Sequence, residues 1–215
     1  MTIIGKSKTR PESRSGRPVV LASASPRRNE LLSLILDAYE VIPSRYDESL
    51  TPEELGPADH VLYSSRMKAR DVIAGAEDHI VISADTVVTI DGSILGKPEN
   101  EEHARQMLVM LSGRTHHVVT GVTVACEANE ESVVESTGVT FRVLDDETIR
   151  WYVQTGEPMD KAGAYAIQGR GCVLVKGIAG CYFNVVGLPL YRLSTILENF
   201  GISPIHQTRT HAASR

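Results

Sequence analysis

The sequence predicts an α/β or α+β domain built on one mixed sheet, and three features carry that reading. Apolar runs at Val19 to Ala22 and Ile80 to Ala84 precede helical patterns, as expected of buried strands followed by helices. Asp91-Gly92 lies between two short strand-like runs and marks a tight hairpin. Residues 115–126 and 132–144 alternate as a long antiparallel pair, so parallel-type and hairpin strands must share the sheet.

Each element follows in order. The first strand, Val19 to Ala22, runs into Ser23-Ala24-Ser25-Pro26, where Ser25 is an N-cap candidate and Pro26 suits the first helical position. Leu31, Leu32, Leu34 and Ile35 form the apolar face of that helix. Tyr39 to Ile42 reads as a second strand. Thr51-Pro52-Glu53-Glu54 has capping-box spacing, with Pro57 ending a first turn before a longer helix that carries Arg66 and Lys68. Ile80 to Ala84 delivers Asp85 and Thr86 at its end, and Val87 to Ile90 and Ser93 to Leu95 flank the Asp91-Gly92 turn. Asn100 caps a helix through Leu111, which Gly113 stops. The long pair turns at Ala128-Asn129-Glu130-Glu131. Asp145 caps a helix to Gln154, residues 156–187 are Gly-rich with short strands, and Pro189 opens a final amphipathic helix. The sequence holds no internal repeat and no heptad pattern.

The 215 residues include 22 basic and 27 acidic side chains, with 42% hydrophobic and 5% aromatic residues, which describes a globular chain able to build a large core. The charge is unevenly placed. Residues 1–17 carry five bases against Glu12, and residues 207–215 add Arg209 and Arg215, which leaves residues 18–206 near −11. A body that acidic repels a nucleic-acid backbone, so no nucleic-acid partner is expected. The ends read as a disordered basic extension (1–17) and a C-terminal tail (207–215) around one domain (18–206). Three cysteines without CxxC spacing read as reduced thiols. No apolar run reaches the roughly 20 residues of a membrane span, so a cytoplasmic protein with no membrane partner is expected.

Four segments carry side chains suited to chemistry. Ser23-Ala24-Ser25-Pro26-Arg27-Arg28 places two arginines and free backbone N–H groups at a helix start, which suits an anion, although a capped helix with solvated arginines has the same sequence. Asp85, after an apolar strand, sits where α/β sheets put ligand-facing carboxylates; turn capping is its ordinary role. Lys97, in Gly96-Lys97-Pro98, and Glu48 are unremarkable alone. Asp160 to Gly169 is rich in small residues that let a ligand approach backbone, with Gln168 offering a donor and an acceptor to a base edge. GxSxG, HExxH, GxxxxGK[ST] and GxGxxG motifs are missing. His116 and His117 fall in a strand, point to opposite faces and cannot chelate one metal together.

Taken together, LASASPRR (21–28), SADTVV (83–88), GKP (96–98), LSGRTHHVVTGV (111–122), EPMDKAGAYAIQG (157–169) and NVVGLPL (184–190) resemble, in order and spacing, the Maf family of nucleoside triphosphate pyrophosphatases. The resemblance covers about residues 18–200 and implies a strongly twisted central sheet flanked by helices, as in inosine triphosphate pyrophosphatase-like folds. The branch acting on dTTP and UTP is the most similar: Arg27, Thr86 and Gln168 stand where the 7-methyl-GTP branch has an aromatic residue, Gln and Glu. Cys181 departs from the usual Ser, and the basic extension has no counterpart.

The resemblance implies roles residue by residue. Asp85 would be the catalytic carboxylate, with Lys97 and Arg28 assisting. Ser23, Ser25, Arg27, Arg28, Lys68, Thr86, Lys97 and Gln168 would bind substrate, and Glu48 and Asp85 would hold a divalent cation, Mg²⁺ or Mn²⁺. The substrate would be a small nucleotide cleaved to its monophosphate and pyrophosphate. A homodimer is implied by the family alone. The alternative function is a nucleotide-binding regulator of septum formation whose catalysis is incidental. The acid surplus fits a site whose carboxylates need a cation before a triphosphate approaches.

Overall fold

Three buried residues, Val19–Leu21, form the first strand, β1, of a computed structural model that describes residues 16–76 and 78–204. The chain then enters α1 (Pro26–Leu32), with Pro26 in the first turn and the Ser25 hydroxyl accepting the Arg28 N–H at 3.5 Å. A two-residue strand, β2 (Glu40–Val41), and a 3₁₀ turn (Glu48–Leu50) lead to α2 (Pro57–Ile73). Next come β3 (Ile80–Ile90) and β4 (Ser93–Leu95), joined by Asp91 and Gly92 at φ 52° and 80°, the positive values that a type I′ turn requires.

In α3 (Glu101–Leu111), Asn100 Oδ1 accepts the His103 N–H at 2.9 Å, and the helix stops before Gly113 at φ 69°. The long antiparallel pair is β5 (Thr115–Cys126) and β6 (Asn129–Phe141). α4 (Asp146–Gln154) begins at Asp145, whose Oδ1 accepts the Thr148 N–H at 2.8 Å. The chain ends in β7 (Val175–Ala179), α5 (Tyr182–Val186) and α6 (Leu190–Asn199).

Among the described residues the strands form one seven-stranded mixed sheet, ordered β2-β1-β3-β5-β6-β7, with β4 also on β3. β1 runs parallel to both β2 and β3, while β3, β4, β5, β6 and β7 pair antiparallel. The expected mixed α/β sheet flanked by helices is present.

A strand has two hydrogen-bonding edges, and β5 occupies one edge of β3 from Val81 to Thr89. β1 and β4 must therefore share the other. β1 pairs with it only as far as Ile82, and β4 only from Val88, so the edge between them lies open in the middle of the sheet.

Side-chain alternation sorts the core by face. Val20, Val81 and Ala125 pack under Ala69 and Val72 of α2 on one face. On the other, one cluster joins β1, β3 and β5 to α1 and α6 through Leu21, Ile82, Val124, Leu32 and Leu193. A second joins the far end of β3 to α3 and α4 through Val88, Leu108, Phe141 and Tyr152. The open edge of β3 falls where these two clusters meet.

Four local expectations are corrected. The Thr51 capping box does not form: Thr51 is buried, its hydroxyl meets the Tyr46 hydroxyl at 3.1 Å, and α2 starts at Pro57 itself. The second strand shrinks to Glu40 and Val41, which pair with Val20 and Leu21. β6 starts at Asn129, since Cys126 pairs with Asn129 across a Glu127-Ala128 turn. The Gly-rich region holds 3₁₀ turns, at Glu157–Asp160, Ala162–Ala164 and Arg170–Leu174, before its single strand β7. The reading of residues 1–17 and 207–215 as tails lies outside the described residues, apart from Gly16 and Arg17.

Candidate active site

Asp85 lies in mid-strand, not at a strand end as the sequence suggested, because the apolar pattern resumes at Val87 and β3 continues to Ile90. The open edge supplies the access that a strand end would have given. Asp85 and Thr86 project to opposite faces. The carboxylate turns toward α2, and the hydroxyl toward α1 and α5.

On the α2 face, Lys68 Nζ donates to Asp85 Oδ1 and to Glu48 Oε1, each at 2.6 Å. The Lys68 and Asp85 side chains are each 9% exposed, whereas Glu48, on the rim, is 58% exposed. Gly121 explains how α2 comes so close. It pairs with Asp85 across the sheet, and a Cβ there would lie 2.4 Å from the Val61 carbonyl oxygen, so only glycine lets the helix backbone rest on β5.

On the opposite face Arg28 is held by three acceptors. Its Nε donates to the Gly187 carbonyl at 3.0 Å, Nη1 to Ser23 Oγ at 3.4 Å and Nη2 to Thr86 Oγ1 at 3.1 Å. Thr86 Oγ1 also meets Thr120 Oγ1 at 3.0 Å. Guanidinium carries five N–H donors, so two remain for a ligand. Burial pulls the Arg28 pKa below its ordinary value, while the nearby Asp85 and Glu48 charges act in the opposite direction.

Both faces open into one cleft of about 440 Å³, and all ten residues named from the sequence line it: Ser23, Ser25, Arg27, Arg28, Glu48, Lys68, Asp85, Thr86, Lys97 and Gln168. This volume is in the range of small-ligand sites. Val88, Val118, Ile167 and Val186 supply apolar lining, and Lys97 enters from the loop after β4. Ser44 and Tyr46, which the sequence does not single out, also line the cleft, as do Asp160 and Lys161 of the small-residue segment, which form an ion pair. Hydrogen bonding to Lys161, aided by the Lys161 and Arg27 charges, holds Asp160 below its usual pKa. Its place in a small-residue segment was visible in the sequence; its pairing was not.

The two carboxylates expected to hold a metal converge on Lys68 instead, and among the described residues no group of three or more His, Cys, Asp or Glu is placed to hold a metal ion. Two carboxylates drawn to one cation still fit a hard divalent ion that completes its shell with phosphate oxygens and water. His116 and His117 do diverge: His116 is buried, with Nε2 2.8 Å from Tyr165 Oη, and His117 is exposed. No helix among the described residues is long and apolar enough to cross a membrane, and the three cysteines are unpaired.

A mixed α/β sheet, opened in its middle onto a cleft lined by Arg27, Arg28, Lys68, Lys97 and Lys161 among Glu48, Asp85 and Asp160, defines a protein built for a small polyanion. Residues 18–200 match the family described as Maf-like protein, and the chain belongs to it. It is 47% identical over 186 residues to a dTTP/UTP pyrophosphatase of Bacillus pumilus (strain SAFR-032), covering 86% of this chain and 98% of that one. Identity is 52% over 190 residues with the dTTP/UTP pyrophosphatase of Methanosarcina mazei (87% and 96% covered) and 52% over 186 residues with that of Moorella thermoacetica (86% and 95%). A solved HAM1 protein from Coxiella burnetii is 17% identical with a TM-score of 0.47, covering 85% of this chain and 99% of that one.

Proposed function

We propose that the protein hydrolyses dTTP and UTP to the nucleoside monophosphate and pyrophosphate. The observation that carries this reading is the Asp85–Lys68–Glu48 cluster set opposite the anchored Arg28 in one nucleotide-sized cleft. The activity named for the relatives supports it.

In this reading Asp85 orients a water and takes its proton as the oxygen attacks the α-phosphorus. The new P–O bond forms, the α–β bridging P–O bond breaks, and pyrophosphate leaves. Arg28, Lys68 and Lys97 stabilise charge on the non-bridging and leaving oxygens, where electrostatic preorganisation contributes most in phosphoryl chemistry. A divalent cation, Mg²⁺ or Mn²⁺, would be held by Glu48 and Asp85 and would supply further neutralisation of the phosphates.

Base choice falls to Arg27 and Gln168 at the cleft wall. Uracil and thymine present two carbonyl acceptors around one N–H, which guanidinium donors and a side-chain amide match. Cytosine reverses part of that pattern, and a buried mismatch costs about 1–3 kcal/mol. A division regulator with incidental catalysis is not favoured, since the relatives are named for the pyrophosphatase activity and the acid and cation set is complete. Pyrophosphate release from a nucleotide panel tests the proposal. Release from dTTP and UTP supports it, and no release from either removes it.

A further inference from the structure

Gln168 lies in an irregular stretch with no strand or helix to hold it, yet the backbone on both sides of it is fastened to the same pair of side chains. Tyr152, fully buried on α4, accepts the Ala166 N–H on its hydroxyl at 3.0 Å and donates that hydroxyl to Glu157 Oε1 at 2.8 Å. Glu157 then accepts the Gly171 N–H on Oε1 at 3.0 Å and the Arg170 N–H on Oε2 at 2.8 Å. Two residues before Gln168 and two after it, the chain is therefore bonded to one Tyr–Glu unit.

The glycines fit this arrangement by size. A Cβ on Gly169 would lie 2.3 Å from Glu157 Oε2, and one on Gly171 would lie 2.6 Å from the Ala166 carbonyl oxygen and 2.7 Å from Tyr152 Oη. The loop thus closes directly onto the carboxylate and phenol. Burial pushes the Glu157 carboxyl upward in pKa, but the Gly171 and Arg170 amides and the Tyr152 hydroxyl outweigh it and hold the group below its ordinary value. An ionised carboxylate saturated by three donors is a rigid anchor.

From this geometry we infer that Glu157, acting with Tyr152, is a positioning residue for substrate selection: it sets the height and direction from which Gln168 meets the nucleobase. The inference rests on the reading of Gln168 as a base contact. Glu157 touches no reacting atom; it acts through the loop.

The test is a double-mutant cycle on base selectivity, with kcat/KM measured for UTP and for CTP in the presence of Mg²⁺. Gln in place of Glu157 keeps the shape but turns one acceptor into a donor facing an N–H. Glu157→Gln is expected to narrow the UTP-to-CTP ratio about tenfold, chiefly through KM for UTP, as is Gln168→Ala. Adding Gln168→Ala to Glu157→Gln should then change the ratio less than about threefold, because both changes remove one contact. Tyr152→Phe frees the Ala166 side and takes one of its three donors from Glu157, but leaves the Arg170 and Gly171 amides on that carboxylate; it is the milder second variant and should narrow the ratio in the same direction, so selectivity remains readable if Glu157→Gln folds poorly. Equal loss on both substrates with an unchanged ratio in Glu157→Gln and Tyr152→Phe, while Gln168→Ala moves it, overturns the inference alone. A ratio unmoved by Gln168→Ala removes the base-contact reading and this inference with it.

Discussion

Lys68 Nζ stands 2.6 Å from Asp85 Oδ1, with both side chains 9% exposed, and the same ammonium holds Glu48 Oε1 at 2.6 Å. The pair joins the middle of α2 to the middle of β3 at the one stretch of that strand left open between β1 and β4. The proposed base is therefore fixed by a helix lysine, and the two members should respond differently to replacement.

Lys68→Met leaves two carboxylates facing each other without their cation, so stability should fall by about 3–5 kcal/mol, as for breaking a buried pair from one side. Asp85→Asn keeps an acceptor for Lys68 and should cost less stability, while lowering kcat by about 10²- to 10⁴-fold through loss of the proton acceptor. Denaturant melts together with steady-state pyrophosphate release separate the two. An Asp85→Asn enzyme within tenfold of the parent would falsify the role given to Asp85.

Arg28 is tied into the fold on the opposite side of the cleft. Its guanidinium already spans Gly187, Ser23 and Thr86, a geometry that an ammonium cannot reproduce. Arg28→Lys should therefore reduce kcat/KM about 10- to 100-fold despite retaining the charge. Thr86→Val, which removes one of the three acceptors, should give a smaller loss in the same assay.

Gly121 links packing to chemistry. Alanine there places its Cβ within 2.4 Å of the Val61 carbonyl oxygen, and this backbone atom cannot rotate aside. Gly121→Ala should cost about 1–3 kcal/mol as α2 lifts from the sheet. Since Lys68 rides on that helix two turns further on, activity should fall as well, even at temperatures where the variant is folded. Unchanged activity in the folded variant would separate α2 placement from catalysis.

His116 makes acid stability testable. Burial, with a smaller contribution from His117, holds its pKa at about 4 against an ordinary 6.5. Above the unfolded value the ring is neutral in both states and folding incurs no penalty; as pH falls from 6.5 toward 4, the unfolded chain takes up a proton that the folded chain refuses, and stability is lost. Between pH 7 and pH 5 this amounts to about 2 kcal/mol. His116→Phe, packed between Phe141 and Tyr165, should lose less stability over that interval than the parent by about the same margin, measured from urea midpoints.

How far these residues could be read in advance depends on the range of the forces that place them. Ser25, Asn100, Asp145 and Asp91-Gly92 act within four residues of themselves, and each cap and turn stands where the sequence put it. The sequence singles out Asp85 for its chemistry but reads it at a strand end, because the gap that exposes it depends on where β1 pairs along β3, a tertiary register that no local pattern gives. The Thr51 capping pattern gave way to a tertiary hydroxyl contact with Tyr46. Residue chemistry alone points to Ser25, Arg27, Arg28, Asp85 and Gln168, and the cleft gathers all ten site residues, whose roles come from the family resemblance. The bonds that hold them did not come with it. Arg28 reaches Gly187 across 159 residues, and Glu157 reaches Arg170 and Gly171 across 13 and 14, separations at which no periodicity or spacing rule operates.

The most direct measurement is product analysis with purified protein and dTTP, UTP, CTP, dATP and 7-methyl-GTP, each with Mg²⁺ or Mn²⁺ and again after chelation. The expected result is equimolar monophosphate and pyrophosphate from dTTP and UTP in preference to the others, abolished by chelation and by Asp85→Asn. Orthophosphate in place of pyrophosphate, or turnover of 7-methyl-GTP with none of dTTP and UTP, would contradict the assignment of this cleft to pyrimidine triphosphates.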